Sequence, residues 1–303
     1  KIFADDKRIF MDNWNLAYGN KILHILFLIN FSERTKRMPV MYKNSNLDNI
    51  FDFKFETINI KELTVKDYFF IEKDSFYVQN IFLNFFKMNY RFYDKRLYSV
   101  ILKHYEHFLE RKCFLNSTPP KKDIKIRGHF FDYELMPDFE VFNKYVEIKS
   151  EIISYIKGKY PDIESEKSVA VHYRGTDFKG FMSHIFPKGL QVSQEYYLLA
   201  IEQIEKKIGD DIVYHLFSDD MTFLKKLFKN KKIVIHDDKA HEDWVAIYLM
   251  KNVIQTNSSF CWTASLYNKR FSVQPKDGYN YHQQTGSIPF GFHHENAILI
   301  KKK

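Results

Sequence analysis

The stretch Ser168–Asp177, SVAVHYRGTD, opens with the branched apolar pair Val169 and Val171 and delivers His172, Arg174 and Asp177 at its far end. Small and branched apolar residues bounded by charge read as a buried strand of a parallel sheet. In such sheets ligands bind beyond the carboxyl ends of the strands. Arg174 therefore stands where a fixed cation would meet an anionic ligand, and a guanidinium fork matches phosphate oxygens. Gly175 beside it lets backbone come close. From this stretch alone, an ordinary surface ion pair of Arg174 with Asp177 is the alternative reading.

Downstream the pattern becomes regular. A helix is predicted from Ser193 (Tyr197, Leu198, Ile201, Ile204), a strand at Ile212–Phe217, and a helix after Asp220 (Phe223, Leu224, Leu227, Phe228). Then come a strand at Lys232–His236, a helix over Glu242–Lys251, a strand at Val253–Thr256 and a helix from Ser258. Alternating strand and helix is the signature of a parallel, doubly wound α/β sheet. Its loops carry HYRGTD, FSDD and TNSSF.

Each loop has a plain reading and a chemical one. Asn257, Ser258 and Ser259 lie between a strand end and a helix start, so they serve either as caps or as an anion site of hydroxyls and backbone N–H groups. Asp219 and Asp220 stand at the mouth of the neighbouring strand. Asp220 either caps the next helix or, as a carboxylate, accepts the paired N–H donors of a guanine edge. No metal is expected here, because this pair lacks a further carboxylate or His at ligand spacing. Asp237 and Asp238 read as loop residues.

Upstream, residues 12–20, DNWNLAYGN, form a polar turn that caps an apolar helix from Ile22, with Asn15, Gly19 and Asn20 in it. The turn is either plain, with Gly19 supplying an awkward backbone angle, or turns N–H groups toward an anion or acceptor hydroxyl. Strands are predicted at Met38–Tyr42, Asp67–Ile71 and Ile124–Phe130, the last breaking at Gly128 and His129. An amphipathic helix is predicted over Tyr98–Phe114 and another, long one over Glu140–Tyr160, with a domain boundary near the start of the second.

A chain of 303 residues with 45% apolar content suits one large or two medium domains with real cores. The net charge of +8 permits anionic partners, but 38 acidic residues are interspersed with 46 basic ones, which is no polybasic tail. Cys113 and Cys261 make no disulfide framework and have no metal-ligand companions, so a reducing, cytoplasmic location is expected. The apolar run Ile22–Phe31 is far short of the ~20 residues that span a bilayer, and no anchor or signal sequence is read. The chain opens at Lys1 without a methionine, as a piece of a longer polypeptide would.

In this order and at these separations, HYRGTD, FSDD and NSSFCW resemble the motif series of the GDP-fucose-dependent fucosyltransferases, the bacterial-type α-1,2 family with its α-1,6 and protein O-fucosyltransferase relatives. The likeness covers residues 165–270 well, including EDWVAIYLMKNVIQTNSSF, and extends more weakly to AYGNKILHIL and IRGHFFDYE. It implies a GT-B type fold, two Rossmann-like domains with mostly parallel sheets. Residues 1–140 would be the acceptor side and 141–303 the nucleotide-sugar side.

The resemblance implies that Arg174 holds the β-phosphate of GDP, that His172 lies by guanine or ribose, and that Asp177 braces the loop. Asp220, with Asp219, would read guanine, and Asn257, Ser258 and Ser259 would face phosphate oxygens. Acceptor-side candidates are Asn15, Gly19, Asn20 and His129. Many relatives carry a second arginine where this chain has Gly175, so the missing charge would come from elsewhere, Lys179 being one candidate. The implied reaction is inverting transfer of fucose from GDP-β-L-fucose to a glycan hydroxyl, with no cofactor, metal or nucleic acid. Candidate bases are His184, Asp177 and Asp12. Two alternatives stand beside it: a different nucleotide sugar on the same fold, or a non-catalytic glycan or nucleic-acid binder.

Overall fold

The computed structural model describes residues 8–11, 17–43, 46–58, 68–73, 123–128, 136–176, 192–267, 269–276, 293–294 and 296–300. Two parallel sheets dominate it. The first takes its strands from the N-terminal half: β1 (Arg8–Met11), β2 (Met38–Tyr42), β4 (Glu56–Ile58), β5 (Tyr68–Lys73) and β6 (Asp123–Gly128), in the order β4-β2-β1-β6-β5. The second contains β8 (Ser168–Tyr173), β9 (Val213–Ser218), β10 (Lys232–His236), β11 (Asn252–Ile254), β12 (Phe271–Pro275) and β13 (Ala297–Ile300), in the order β10-β9-β8-β11-β12-β13. Every pairing in both sheets is parallel.

The strand carrying the opening motif is buried along its whole length. Its side chains alternate between two cores, as the two-residue period of a strand requires. Val169 and Val171 join one core with Tyr196, Tyr197, Leu216 and Phe228. Ala170, between them, joins the other, around helix α1 (Tyr18–Thr35). That helix is apolar nearly all round, with Ile22, Leu23, Ile25, Leu26, Phe27, Leu28 and Ile29 all buried, which marks a helix enclosed by protein rather than one lying on a surface.

Its start differs from expectation. The N-cap is Ala17, whose side chain makes no capping hydrogen bond, and the first turn holds no acidic residue. The polar residues that would have capped it, Asp12 to Asn15, lie outside the described residues.

The long helix expected over residues 140–160 is also corrected. It is divided into α2 (Phe139–Tyr145), strand β7 (Val146–Ile148) and α3 (Ser150–Lys159). Val146 leaves helical geometry at φ −140° and ψ 140°, and β7 pairs antiparallel with β3 (Phe51–Phe53). Val146 and Ile148 fit a helical stripe as well as a strand's alternation, and only the distant partner decides between them. The predicted helix over Tyr98–Phe114 lies outside the described residues.

The remaining helices follow the predicted series: α4 (Gln194–Ile208), α5 (Met221–Leu227), α6 (Ala240–Leu249) and α7 (Ser259–Ala264). Lys269 closes α6 by donating to the carbonyls of Ile247 at 2.7 Å and Tyr248 at 2.9 Å, and to that of Met250. These are the carbonyls a helix leaves without intrahelical partners. The series runs beyond its predicted end, since β12 and β13 extend the second sheet past α7.

Candidate functional site

From β8 the chain proceeds to β9 and β10 on one side, then returns to β11 on the other. The strand order therefore reverses between β8 and β11, and open α/β sheets bind ligands in the crevice such a reversal leaves. In the register, Tyr173 pairs with Ser218 and Val171 with Ile254. This sets residues 174–176, 219–220 and 255–258 along one rim. Two adjacent tyrosines of α4 pin that rim from beneath: Tyr197 donates to the carbonyl of His172 at 2.8 Å, and Tyr196 to that of Gln255 at 2.6 Å. Sequence reasoning took Tyr197 for core and passed over Tyr196. Both are core, and both also position the strand ends.

The loop after β8 is held by one carboxylate. Asp219 accepts from the Gly175 N–H at 2.7 Å, the Thr176 N–H at 3.3 Å and the Thr176 hydroxyl at 2.6 Å. Arg174 Nε lies 3.4 Å from the same carboxylate. Burial alone would raise the Asp219 pKa; the Thr176 hydroxyl, the Gly175 N–H and Arg174 outweigh it and hold the group below the usual carboxylate value. Asp219 thus braces this loop; Asp177, for which a bracing role was expected, lies outside the described residues. Asp220 accepts from the Phe223 N–H at 3.4 Å and caps α5.

Gly175 has a steric reason to be glycine. A Cβ there would stand 2.6 Å from the Tyr173 ring and 2.9 Å from the Asp220 Cβ. A second arginine directly after Arg174 has no room unless both neighbours move.

His172 is buried, its ring against that of Phe260 at 5.6 Å between centroids and 29° between planes. Burial, and then the charge of Arg174, push its pKa down to about 3, so the imidazole is neutral at physiological pH. Its Nδ1 is buried without a hydrogen-bond partner, as are Oδ1 of Asn20 and Oδ1 of Asn257. Ser258 caps α7 through the Phe260 N–H at 3.3 Å, and Ser259 opens that helix.

The N-terminal half reaches this rim through Gly19. A Cβ on Gly19 would lie 2.5 Å from both the Phe260 Cα and the Ser259 carbonyl carbon. Gly19 has no positive φ; its backbone is ordinary, and close helix approach is what requires glycine. The start of α1 is therefore seated on the start of α7, beside His172. The structure unites His172, Arg174, Asp219, Asp220, Asn257, Ser258, Ser259 and Gly19 at one rim. Asp12, Asn15, His129, Asp177, Lys179 and His184 lie outside the described residues.

Neither a protein-family model nor a curated protein sequence matches this chain. Solved structures do. The NodZ α-1,6-fucosyltransferase soaked with GDP-fucose is 14% identical at TM-score 0.52, over 86% of this chain and 92% of NodZ. POFUT1 in complex with GDP is 12% identical at TM-score 0.50, over 90% of this chain and 99% of POFUT1. A point mutant of Arabidopsis thaliana FUT1 in complex with GDP is 10% identical at TM-score 0.50, over 87% of this chain and 69% of that one. At these identities the likeness defines the fold: the chain has the GT-B type architecture of those fucosyltransferases. Among the described residues no helix is long and apolar enough to cross a membrane.

Proposed function

We propose that this chain is an inverting, metal-independent glycosyltransferase that moves L-fucose from GDP-β-L-fucose to a glycan hydroxyl. The observation that carries the reading is the meeting, at the topological switch point, of Arg174, the 257–259 loop and the start of α1. All three suit a diphosphate. The three solved structures named above are fucosyltransferases, described with GDP or GDP-fucose.

In this reading the departing GDP is the group the site stabilises. Negative charge grows on the leaving diphosphate as the glycosidic bond breaks, and preoriented donors lower that barrier. Arg174 supplies the fixed cation, held in place by Asp219. Ser258 and Ser259 supply hydroxyls, and the N-terminal end of α1 supplies a positive helix dipole. His172, neutral and buried, serves as a hydrogen-bonding partner for ribose or base rather than as a proton acceptor. With Asp219 committed to its loop, guanine recognition falls to Asp220. Residues 1–140 would form the acceptor side and residues 141–303 the donor side.

Gly175 favours a second reading, in which the same fold takes another nucleotide sugar, because the site then has one arginine where many relatives have two. Nucleotide release separates them. GDP-fucose, GDP-mannose, UDP-galactose and UDP-xylose are each incubated with the protein, with and without EDTA, and slow donor hydrolysis is followed. Selective, EDTA-insensitive turnover of GDP-fucose is expected; turnover of another donor alone replaces the sugar, and no binding of any nucleotide ends the proposal.

The proposed base is His184. A general base contributes typically ~10²–10⁴-fold. His184→Ala should therefore lower turnover by at least about 100-fold while leaving GDP affinity unchanged, as read by steady-state rates and calorimetry. Unchanged turnover removes His184 from the mechanism.

A further inference from the structure

A second polar cluster is built where β10 ends and α6 begins. His236, Asp238 and Asp243 each offer a ligand atom, all within 4.8 Å of one another. His236 is 2% exposed, and its Nδ1 has no hydrogen-bond partner. Asp243 Oδ1 is likewise buried and unpartnered. His236 Nδ1 faces Asp238 Oδ2 at 3.9 Å. The other ring nitrogen of His236, Nε2, lies 2.9 Å from Nδ1 of the buried His215. The ring is clamped between Tyr160 and Phe217, both with centroids at 4.1 Å, so its orientation is set.

We propose that His236 Nδ1, Asp238 and Asp243 bind one divalent transition cation of the zinc type, clipping the end of β10 to the first turn of α6. An imidazole nitrogen with two carboxylates is a donor set for such ions, and the nitrogen disfavours magnesium or calcium. With Nδ1 as ligand, Nε2–H donates to His215, the outer-shell hydrogen bond that ligating histidines keep. Ligand distances of ~2.0–2.2 Å require the three groups to close on one another by about 1 Å.

Asp237 and Glu242 add negative charge beside Asp238 and Asp243. One cation competes: Lys159 pairs with Asp238 from the last turn of α3, and the Tyr160 hydroxyl donates to the same carboxylate at 2.7 Å. The Lys159 side chain is 38% exposed, so it can leave when a metal arrives. The test reads metal binding and thermal unfolding, so it is independent of donor turnover.

The test strips the untagged protein with a chelator, then titrates zinc against a competing chromophoric chelator and records thermal unfolding. Wild type should bind one equivalent and gain stability with zinc, since ligand binding to the native state raises its unfolding temperature. Asp243→Asn should weaken binding at least about tenfold. Lys159→Met should tighten it severalfold by removing the rival cation. The absence of saturable one-to-one binding, or equal affinity in Asp243→Asn and wild type, overturns the site in favour of adventitious surface histidines. If Asp243→Asn does not fold, unchanged or weaker affinity in Lys159→Met overturns it instead.

Discussion

Arg174→Ala is expected to lower donor turnover by on the order of 100- to 1,000-fold, the cost of removing one preoriented group that stabilises developing charge. GDP affinity should fall with it. The fold should not: the Arg174 side chain is 39% exposed and its Asp219 contact is 3.4 Å long, an arrangement worth at most about 1 kcal/mol. Asp219 keeps its bonds to the Gly175 and Thr176 N–H groups and to the Thr176 hydroxyl when Arg174 is gone. The loop therefore stays shaped while its charge disappears. Arg174→Lys separates charge from geometry, because an ammonium restores the cation without the two-pronged fork and should recover only part of the loss. Calorimetric GDP titration, steady-state rates and thermal unfolding on the three proteins check this. Near-normal turnover in Arg174→Ala would sink the phosphate role.

That prediction rests on a part of the chain the sequence made legible. The central strands of the second sheet are buried apolar runs, and α4 beside them carries a 3.6-residue period. β9 accordingly lies within one residue of its predicted ends, and β10 coincides with its prediction. The loops then had to fall at the carboxyl ends of adjacent strands. Which of two neighbouring aspartates turns toward the loop was not legible, because a carboxylate's partner depends on a backbone brought close by the register of β8 against β9. Asp219 meets backbone N–H groups more than forty residues away in sequence, and Asp220 beside it caps a helix.

Other differences have the same origin in distant contacts. Val146–Ile148 becomes a strand because Phe51–Phe53 offers an edge, although its spacing also suits a helix. Asp238 reads as a loop residue, yet Lys159 and Tyr160 at the end of α3 enclose its carboxylate. His236-x-Asp238 is a visible spacing, but the third ligand stands on α6 and His215 on a different strand. Gly19 looked like a turn glycine because it follows polar residues, and only the packing of α1 on α7 gives it another purpose.

Gly19→Ala is expected to be the most destabilising single-methyl change at the candidate site. The added Cβ would meet backbone, the Phe260 Cα and the Ser259 carbonyl carbon at 2.5 Å, and backbone cannot rotate away as a side-chain tip can. Overpacking of this kind costs typically ~1–3 kcal/mol, and here a whole helix start must move. The unfolding temperature should drop by several degrees, at about 2–4 °C per kcal/mol for a domain of this size. Gly158→Ala is the matched control. Nothing lies within 4 Å of a Cβ at Gly158, and the residue sits in α3, where alanine is the better helix former. That change should stabilise the protein by ~0.4–1 kcal/mol, with the opposite sign from the same chemistry. The two variants also differ in function. Separating α1 from α7 withdraws the α1 helix start from Ser258 and Ser259, so Gly19→Ala should weaken GDP binding, whereas Gly158→Ala should leave it alone. Thermal unfolding and GDP titration of both decide the matter: if Gly19→Ala is as stable as wild type, or binds GDP as tightly, the close seat of α1 on α7 is not what assembles the site.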